Sequence, residues 1–184
     1  MNCSTNGIWK KITVALMLGL FMVAPQFSQA HEHTMNMSQH KMPAAFEKLK
    51  QLVGTWTGSG VMHGKQMDYT VTYELTAGGS AVVEREFAGT PHEMMSVFYP
   101  EGNGVVVTHY CMLGNQPHMV LTNSSGNTLT FQMQGNSGIA SAQEPHMHGL
   151  ALTFIDADHI KATWTAYAKG KKSEVTVMDL TKKS

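Results

Sequence analysis

Leu52-Val53-Gly54-Thr55-Trp56-Thr57-Gly58-Ser59-Gly60 is the stretch of sequence that decides the fold. It combines one tryptophan with three glycines and alternating small residues, and it follows a short amphipathic segment. Downstream, short segments with strand-like alternation are separated by turns rich in Gly and Asn. A Gly-x-Trp followed by such segments is typical of the start of a small closed β-barrel.

A helical segment precedes this stretch. From Pro43 onward, apolar residues recur at spacings of three and four, namely Phe46, Leu49, Leu52 and Val53. Gly54 is a good helix terminator. The sequence therefore predicts a short N-terminal helix that covers one end of the barrel.

About ten strands are predicted after the helix. Besides the Trp56 strand, they are 68–75, 81–88, 94–99, 105–111, 118–123, 129–134, 148–155, 160–168 and 174–180. Short, regularly spaced strands without intervening helices indicate an antiparallel sandwich or barrel. Closure is favoured because an open sheet of this size would expose its edges. We predict an all-β fold, a closed antiparallel up-and-down barrel of about ten strands, in residues 43–182.

The first 30 residues have the pattern of a signal peptide. Lys10 and Lys11 precede the apolar segment 12–24, and Ser28-Gln29-Ala30 offers small residues before a cleavage point. The alternative, an uncleaved membrane anchor, is disfavoured because the apolar segment is too short to span a bilayer. We therefore predict a periplasmic or secreted protein that has no membrane span after cleavage.

Charge and cysteine content argue against several classes of protein. Loss of Lys10 and Lys11 leaves 11 basic residues against 13 acidic ones, a formal net charge of −2. That balance gives no basis for binding nucleic acid. Cys111 would be the single remaining cysteine, so no intramolecular disulfide can form. A Ser-His-Asp pattern, a phosphate loop and a dinucleotide fingerprint are absent from the sequence.

Gly54-Thr55-Trp56 resembles the first strand of the lipocalin-like superfamily, in which the tryptophan closes the base of the barrel. The stretch from Leu52 to Gly60 is also similar to the opening of nitrobindin-like haem-binding barrels. Over residues 46–180 the chain resembles a family of uncharacterised bacterial lipocalin-like proteins. The segments that carry this resemblance are 73–80, 89–94, 108–111, 114–117, 147–148 and 156–159. It implies the fold and no particular activity.

The nitrobindin likeness makes haem one candidate cofactor. Those proteins bind haem through a histidine late in the chain. The late histidine of this sequence, His159, lies beside Asp158 in a predicted turn. Haem is therefore a candidate without an assigned ligand.

Two pairs of possible metal ligands lie on the apolar faces of their strands. Alternation places His109 and Cys111 on the face of the preceding valines, and His146 and His148 on the face of the following leucines. If that face is interior, the four side chains could converge on zinc or copper, or line a pocket for an organic ligand. Burial in the core without a function is the alternative.

Residues 31–42 are predicted to form a disordered leader rich in His and Met. After cleavage behind Ala30, the free amine of His31, two backbone amides and the imidazole of His33 could bind Cu(II) or Ni(II) in a square plane. Met35 and Met37 add soft ligands that suit Cu(I). A leader with chance His and Met is the alternative.

Four further residues are candidate ligand contacts. His92 and Glu93 follow Pro91 in a loop predicted at the barrel mouth, where an exposed polar turn is the competing interpretation. Asn115 lies in a turn. Trp164 shares a strand face with small residues that leave room for a cavity.

Two more features have competing interpretations. Glu84 and Glu86 share the face of Val82 and Ala88. Either one or both point inward as a polar contact, or that face is exposed to solvent. We expect the second, because carboxylates are rarely fully buried. The methionines of the predicted strands and turns either line an adaptable pocket or fill the core. They are Met62, Met67, Met94, Met95, Met112, Met119 and Met133.

Three hypotheses of function follow. The first is an exported binding protein that holds a small hydrophobic or planar ligand inside the barrel. The second is copper handling by the leader and by His109, Cys111, His146 and His148. The third is an enzyme that uses His92 or His109 as a base, and it has only residue types in its favour.

Overall fold

The computed structural model describes residues 42–62 and 64–184. The predicted signal peptide and nearly all of the predicted leader, including His31, His33, Met35 and Met37, lie outside the described residues. The elements are α1 (Ala44–Lys50), β1 (Gly54–Met62), β2 (Lys65–Thr76), β3 (Ala81–Glu86), β4 (Met94–Glu101), β5 (Gly104–Tyr110), β6 (His118–Ser125), β7 (Thr128–Met133), β8 (His146–Phe154), β9 (His159–Ala168) and β10 (Lys171–Lys182), with one 3-10 turn at Ala77–Gly79. No helix in the described ranges is long and apolar enough to cross a membrane.

The ten strands form a closed barrel. Each strand pairs antiparallel with its neighbour in sequence, and β1 also pairs with β10. The predicted all-β, closed, up-and-down barrel with a short N-terminal helix is therefore confirmed. The predicted strands correspond one to one with those observed.

Helix α1 covers one end of the barrel, which we call the closed end. Phe46 and Leu49 on α1 are fully buried, as is Trp56 on β1, and each such side chain stabilises the fold by roughly 1.5–3 kcal/mol. The indole nitrogen of Trp56 donates a hydrogen bond of 2.6 Å to the carbonyl of Leu52. Val53, which we expected on the apolar stripe, is 38% exposed because the helix ends at Lys50.

Two glycines of the opening stretch let β10 approach β1. A Cβ atom on Gly58 would lie 1.9 Å from the carbonyl oxygen of Asp179, and one on Gly60 would lie 2.1 Å from that of Val177. These distances are far inside van der Waals contact, so a side chain at either position requires the strands to separate. The glycines are therefore part of the closure of the barrel.

The other end of the barrel, which we call the mouth, carries the loops 87–93, 111–117 and 134–145. Strand β1 starts next to α1, and each strand runs antiparallel to the one before it. The loops that follow odd-numbered strands therefore lie at the end of the barrel away from α1. The apolar core fills the barrel near the closed end. The buried polar side chains described below and the apolar cavity beside them lie nearer the mouth, and they form the candidate site.

Candidate functional site

A group of buried polar side chains lies inside the barrel on three adjacent strands. Glu84 and Glu86 on β3, Ser96 on β4 and His109 on β5 are each at most 3% exposed. In the sheet register Glu84 pairs with Ser96, and Ser96 pairs with His109. Together with Tyr73 on β2 and Trp164 on β9, whose contacts are given below, we call this group the polar layer.

The expectation that Glu84 and Glu86 face solvent is wrong. Carboxylates are rarely buried, but here side chains on neighbouring strands supply hydrogen bonds that compensate for the burial of these two. The sequence did contain one indication that these two side chains face inward. Arg85 lies between them, and long cationic side chains seldom face the interior of a barrel. Arg85 is half-buried and contacts Glu93 outside the barrel, with 3.3 Å between Nη1 and Oε1, so alternation turns its two neighbours to the interior.

Hydrogen bonds link the polar layer from Tyr73 to His109. The Tyr73 hydroxyl donates to Oε1 of Glu84 at 2.6 Å. The Ser96 hydroxyl also hydrogen-bonds the Glu84 carboxylate, and Ser96 Oγ lies 3.0 Å from Nδ1 of His109. Either atom can be the donor in the hydrogen bond between Ser96 and His109, according to the tautomer of the His109 ring. Nε2 of His109 is buried and has no hydrogen-bond partner within the described residues.

Burial changes the ionisation of this layer. It raises the pKa of Glu86 well above its usual 4.5, and the nearby charge of Glu84 raises it further, against a hydrogen bond from Nε1 of Trp164 at 3.2 Å. Burial also raises the pKa of Glu84, opposed by the hydrogen bonds from Tyr73 and Ser96. It lowers the pKa of His109 to about 4. His109 is therefore neutral near pH 7, and the acid pair holds a proton to higher pH than an exposed pair would.

His109 and Trp164, both predicted ligand contacts, lie side by side in the interior. Their rings are 4.8 Å apart between centroids. The inward position of Trp164 agrees with the strand face that the sequence indicated. His109 has its Ser96 hydrogen bond and no carboxylate or thiol partner among the described residues, which weakens the hypothesis of a histidine base.

A cavity of about 200 Å³ opens at the mouth, and we call it the mouth cavity. Its lining is mainly apolar and contains five sulfur-bearing side chains, Met62, Met94, Cys111, Met112 and Met147, together with Leu113, Pro145, His146, Ala166, Tyr167, Ser173 and Glu174. Met94 pairs with Glu86 in the sheet, and Ala166 is two residues beyond Trp164 on β9. The mouth cavity therefore adjoins the polar layer on the side away from α1.

Another concavity, of about 370 Å³, lies between the loops 111–117 and 134–145. It is more open to solvent and is lined in part by glycines at 114 and 138. A ligand there would lose less contact with water than in the mouth cavity, so the mouth cavity is the better candidate site.

The structure separates the two predicted pairs of metal ligands. Cys111 and His146 both line the mouth cavity, but His109 lies deeper, in the polar layer. The prediction that His148 shares the interior face of the leucines is wrong, because a β-bulge between Met147 and Gly149 interrupts the alternation. The His148 ring instead stacks on Tyr167, with 3.8 Å between centroids and 18° between planes.

Hydrogen bonds occupy both nitrogens of the His146 ring. Nδ1 lies 2.8 Å from the carbonyl oxygen of Glu144, and Nε2 lies 3.2 Å from Nδ1 of His148. Within residues 42–62 and 64–184, no three His, Cys, Asp or Glu side chains are grouped so that they could hold a metal ion. The four-residue cluster of His109, Cys111, His146 and His148 is thus not assembled in this structure.

The predicted rim residues serve the loops rather than the cavity. Oε2 of Glu93 accepts a hydrogen bond of 2.9 Å from the amide of Gly89, and Oε1 contacts Arg85. The amide of His92 donates to the Thr90 hydroxyl at 3.1 Å, and the residue is exposed. Both lie in the 87–93 loop at the mouth, as predicted, but neither lines the mouth cavity.

Asn115, also a predicted ligand contact, joins two mouth loops. Its side-chain amide donates to Oε1 of Glu144 at 3.1 Å and to the carbonyl of Pro145 at 2.9 Å. Both amide hydrogens are therefore used within the protein. Asn115 holds the 111–117 loop against the residues that lead into β8.

The Asn115→Ala variant is expected to lose about 1–3 kcal/mol of unfolding free energy, since it removes two hydrogen bonds that contribute roughly 0.5–1.5 kcal/mol each. Amide hydrogen exchange in residues 135–145 should become faster in the same variant. Urea denaturation and hydrogen-exchange mass spectrometry measure the two effects. The control is Asn103→Ala, in an exposed turn at the closed end, and equal exchange rates in the two variants would contradict the assigned role.

Comparison with known proteins shows the class of fold. No protein-family model and no curated protein sequence matches the chain. The crystal structure of Rv2717c from M. tuberculosis is similar, with a TM-score of 0.52 and 16% identity over 78% of this chain and 99% of that one. A protein of unknown function from the DUF3598 family of Nostoc punctiforme PCC 73102 has a TM-score of 0.50 and 15% identity, over 73% of this chain and 48% of that one. At such identities the likeness shows the barrel fold alone.

Proposed function

We propose that the protein is an exported binding protein of the lipocalin-like superfamily that holds a small, mainly apolar molecule in the mouth cavity. The observation that carries this proposal is the apolar cavity of about 200 Å³ at one end of a barrel whose other end is filled by core side chains and covered by α1. Export is proposed from the pattern of the first 30 residues, which has the parts of a signal peptide.

The volume of the mouth cavity limits the size of the ligand. Pockets for drug-sized molecules measure about 300–1,000 Å³, whereas an apolar cavity of about 150 Å³ binds benzene. A cavity of about 200 Å³ therefore suits a single substituted ring or a short branched chain. This is smaller than the planar macrocycle of haem, so the cavity as it stands favours a small organic ligand over haem.

The unpaired atoms of the polar layer indicate which kind of ligand should bind most tightly. Oε2 of Glu84 and Nε2 of His109 are buried without partners, and Glu86 lies next to the cavity-lining Met94 in the register. Buried polar atoms without partners cost free energy, and a ligand that extends from the mouth cavity to these atoms with a hydroxyl group can recover it. We therefore expect a ligand with an apolar body and one hydrogen-bond donor to bind more tightly than a purely apolar one.

The test uses fluorine NMR with 4-fluorophenol and fluorobenzene as probes. Protein is purified from the periplasm, where its intact mass should correspond to a chain that begins at His31. We expect saturable binding of 4-fluorophenol and weaker binding of fluorobenzene. Ala166→Phe fills the mouth cavity and should weaken binding of both probes by about tenfold or more, the equivalent of 1.4 kcal/mol.

Ala44→Phe is the matched control, since it makes the same change at an exposed position on α1 at the closed end. It should leave the binding of both probes unchanged. Two results would overturn the proposal: no saturable binding of either probe together with no small molecule in organic extracts of the purified protein, or equal binding by Ala166→Phe and the parent protein.

A further inference from the structure

The mouth cavity has an unusual concentration of sulfur. Thioethers from Met62 on β1, Met94 on β4, Met112 in the 111–117 loop and Met147 on β8 meet the thiol of Cys111 around a single space of about 200 Å³. These residues are distant in sequence, and closure of the barrel brings them together. Leu or Ile side chains would make the wall of the cavity equally apolar without supplying sulfur.

Sulfur is the ligand type that this cavity offers to a metal ion. The described residues contain no group of three His, Cys, Asp or Glu that could hold a metal, which argues against a zinc-type site. His146 lines the cavity, but both of its ring nitrogens already have hydrogen-bond partners. Soft sulfur ligands suit Cu(I), zinc and iron–sulfur clusters, but zinc and the clusters need several thiolates or histidines. Four thioethers with a single thiol therefore favour Cu(I).

The sulfur-bearing side chains extend from the entrance of the cavity to its floor. Met112 is 52% exposed, whereas Cys111 is 8% and Met94 is 5% exposed. An ion that arrives from solvent would meet Met112 first and the more buried sulfurs afterwards. Methionine has three rotatable bonds, so its sulfur can move towards an ion without any change in the backbone.

We propose that the mouth cavity is a binding site for Cu(I), with ligands drawn from the sulfurs of Met62, Met94, Cys111, Met112 and Met147. Binding forms copper–sulfur bonds and releases the Cys111 thiol proton to solvent, and no electron is transferred. The inference goes beyond the proposed function, because it assigns an inorganic ligand and holds whether or not an organic molecule binds.

The experiment measures Cu(I) affinity by anaerobic competition with bathocuproine disulfonate. The full chain is used in a background in which the leader positions His31, His33, Met35, Met37, His40 and Met42 are replaced by Ala or Leu, so that these side chains add no copper ligands. The cavity variant changes Met62, Met94, Met112 and Met147 to Leu. Met and Leu are similar in volume and apolar character, so this variant keeps the fold and the shape of the cavity while it removes four sulfurs.

We expect one Cu(I) per chain in the background protein. The dissociation constant should rise by about 100-fold or more in the cavity variant, because most of the soft ligands are gone. The control changes Met95, Met119, Met133 and Met178 to Leu, at positions outside the cavity lining, and should leave the dissociation constant unchanged.

The failure of this inference can be distinguished from the failure of the proposed function. Loss of Cu(I) binding with retained 4-fluorophenol binding in the cavity variant supports the copper site, since Leu preserves the apolar surface. Equal Cu(I) affinity in the cavity variant and its background would overturn the copper site, as would the absence of stoichiometric Cu(I) from the background protein. Neither of these results affects the fluorine NMR test.

Discussion

The Gly58→Ala variant is expected to be less stable than the parent protein by about 3 kcal/mol, the upper part of the usual range for inserting a methyl group into a packed site. The new Cβ would lie 1.9 Å from the carbonyl oxygen of Asp179, 2.9 Å from its carbonyl carbon and 3.1 Å from Cα of Leu180. All three are backbone atoms of β10, which cannot move aside as a flexible side chain can. Relief requires β1 and β10 to separate, and that weakens the closure of the barrel.

Gly104→Ala is the matched control for this prediction. The nearest atom to its new Cβ is the carbonyl oxygen of Glu101, at an ordinary contact distance of 3.6 Å. Because alanine reduces the entropy of the unfolded chain, the control should be as stable as the parent or more stable by about 0.4–1 kcal/mol. Urea denaturation followed by tryptophan fluorescence compares the three proteins. Equal stability of Gly58→Ala and Gly104→Ala would contradict the close approach of β1 and β10.

The Glu86→Gln variant is expected to be more stable than the parent protein at pH 8 and about equally stable at pH 4. Burial and the charge of Glu84 raise the pKa of Glu86 well above its usual 4.5. The folded protein therefore holds a proton that the unfolded chain has lost, and stability falls as pH rises above about 4.5, by up to about 1.4 kcal/mol per pH unit. Glutamine resembles the protonated acid and still accepts from Trp164, so it removes this loss.

The contribution of His109 to stability rises with pH, whereas that of Glu86 falls. The pKa of His109 is lowered to about 4 by burial, so between pH 4 and its usual value of 6.5 the unfolded chain binds a proton that the folded protein does not. Stability from His109 therefore increases with pH up to about 6.5 and then stays constant. The contribution of His109 is common to the parent and to Glu86→Gln, so it cancels from the difference in stability between them.

Urea denaturation at several pH values from 4 to 8.5 measures this difference. Glu101→Gln removes the same formal charge at an exposed position on β4 and controls for net charge. The difference in stability between Glu86→Gln and the parent should grow with pH, whereas the difference for Glu101→Gln should not follow that course. Parallel pH profiles for Glu86→Gln and the parent would show that Glu86 is ionised in the folded state.

Local patterns in the sequence were sufficient to predict the barrel. The alternation in segments such as 68–75 and 160–168 predicted strands, because a strand with one buried face must alternate. Trp56 and the glycines near it marked the first strand, and the contact of Trp56 with Leu52 shows why the tryptophan follows the helix directly. These features depend on neighbours in sequence, so they can be found without the structure.

The candidate site depends on pairings between distant strands, and much of it could not be predicted. The burial of Glu84 rests on Tyr73 and Ser96, which lie on other strands and supply its hydrogen bonds. The position of His148 depends on a bulge that alternation alone cannot reveal. The sulfur-lined cavity requires the register of several strands at once, although the sequence did indicate that methionines could line an adaptable pocket.

Pairing between β1 and β10 also has a consequence for folding kinetics. The first and last strands meet only after the whole domain is available, so the final contacts have the longest separation in sequence that the barrel contains. Contacts of this kind slow folding, and a chain that lacks residues 171–182 would leave β1 and β9 as unpaired edges. Partly synthesised or C-terminally truncated chains are therefore the forms of this protein most prone to aggregate.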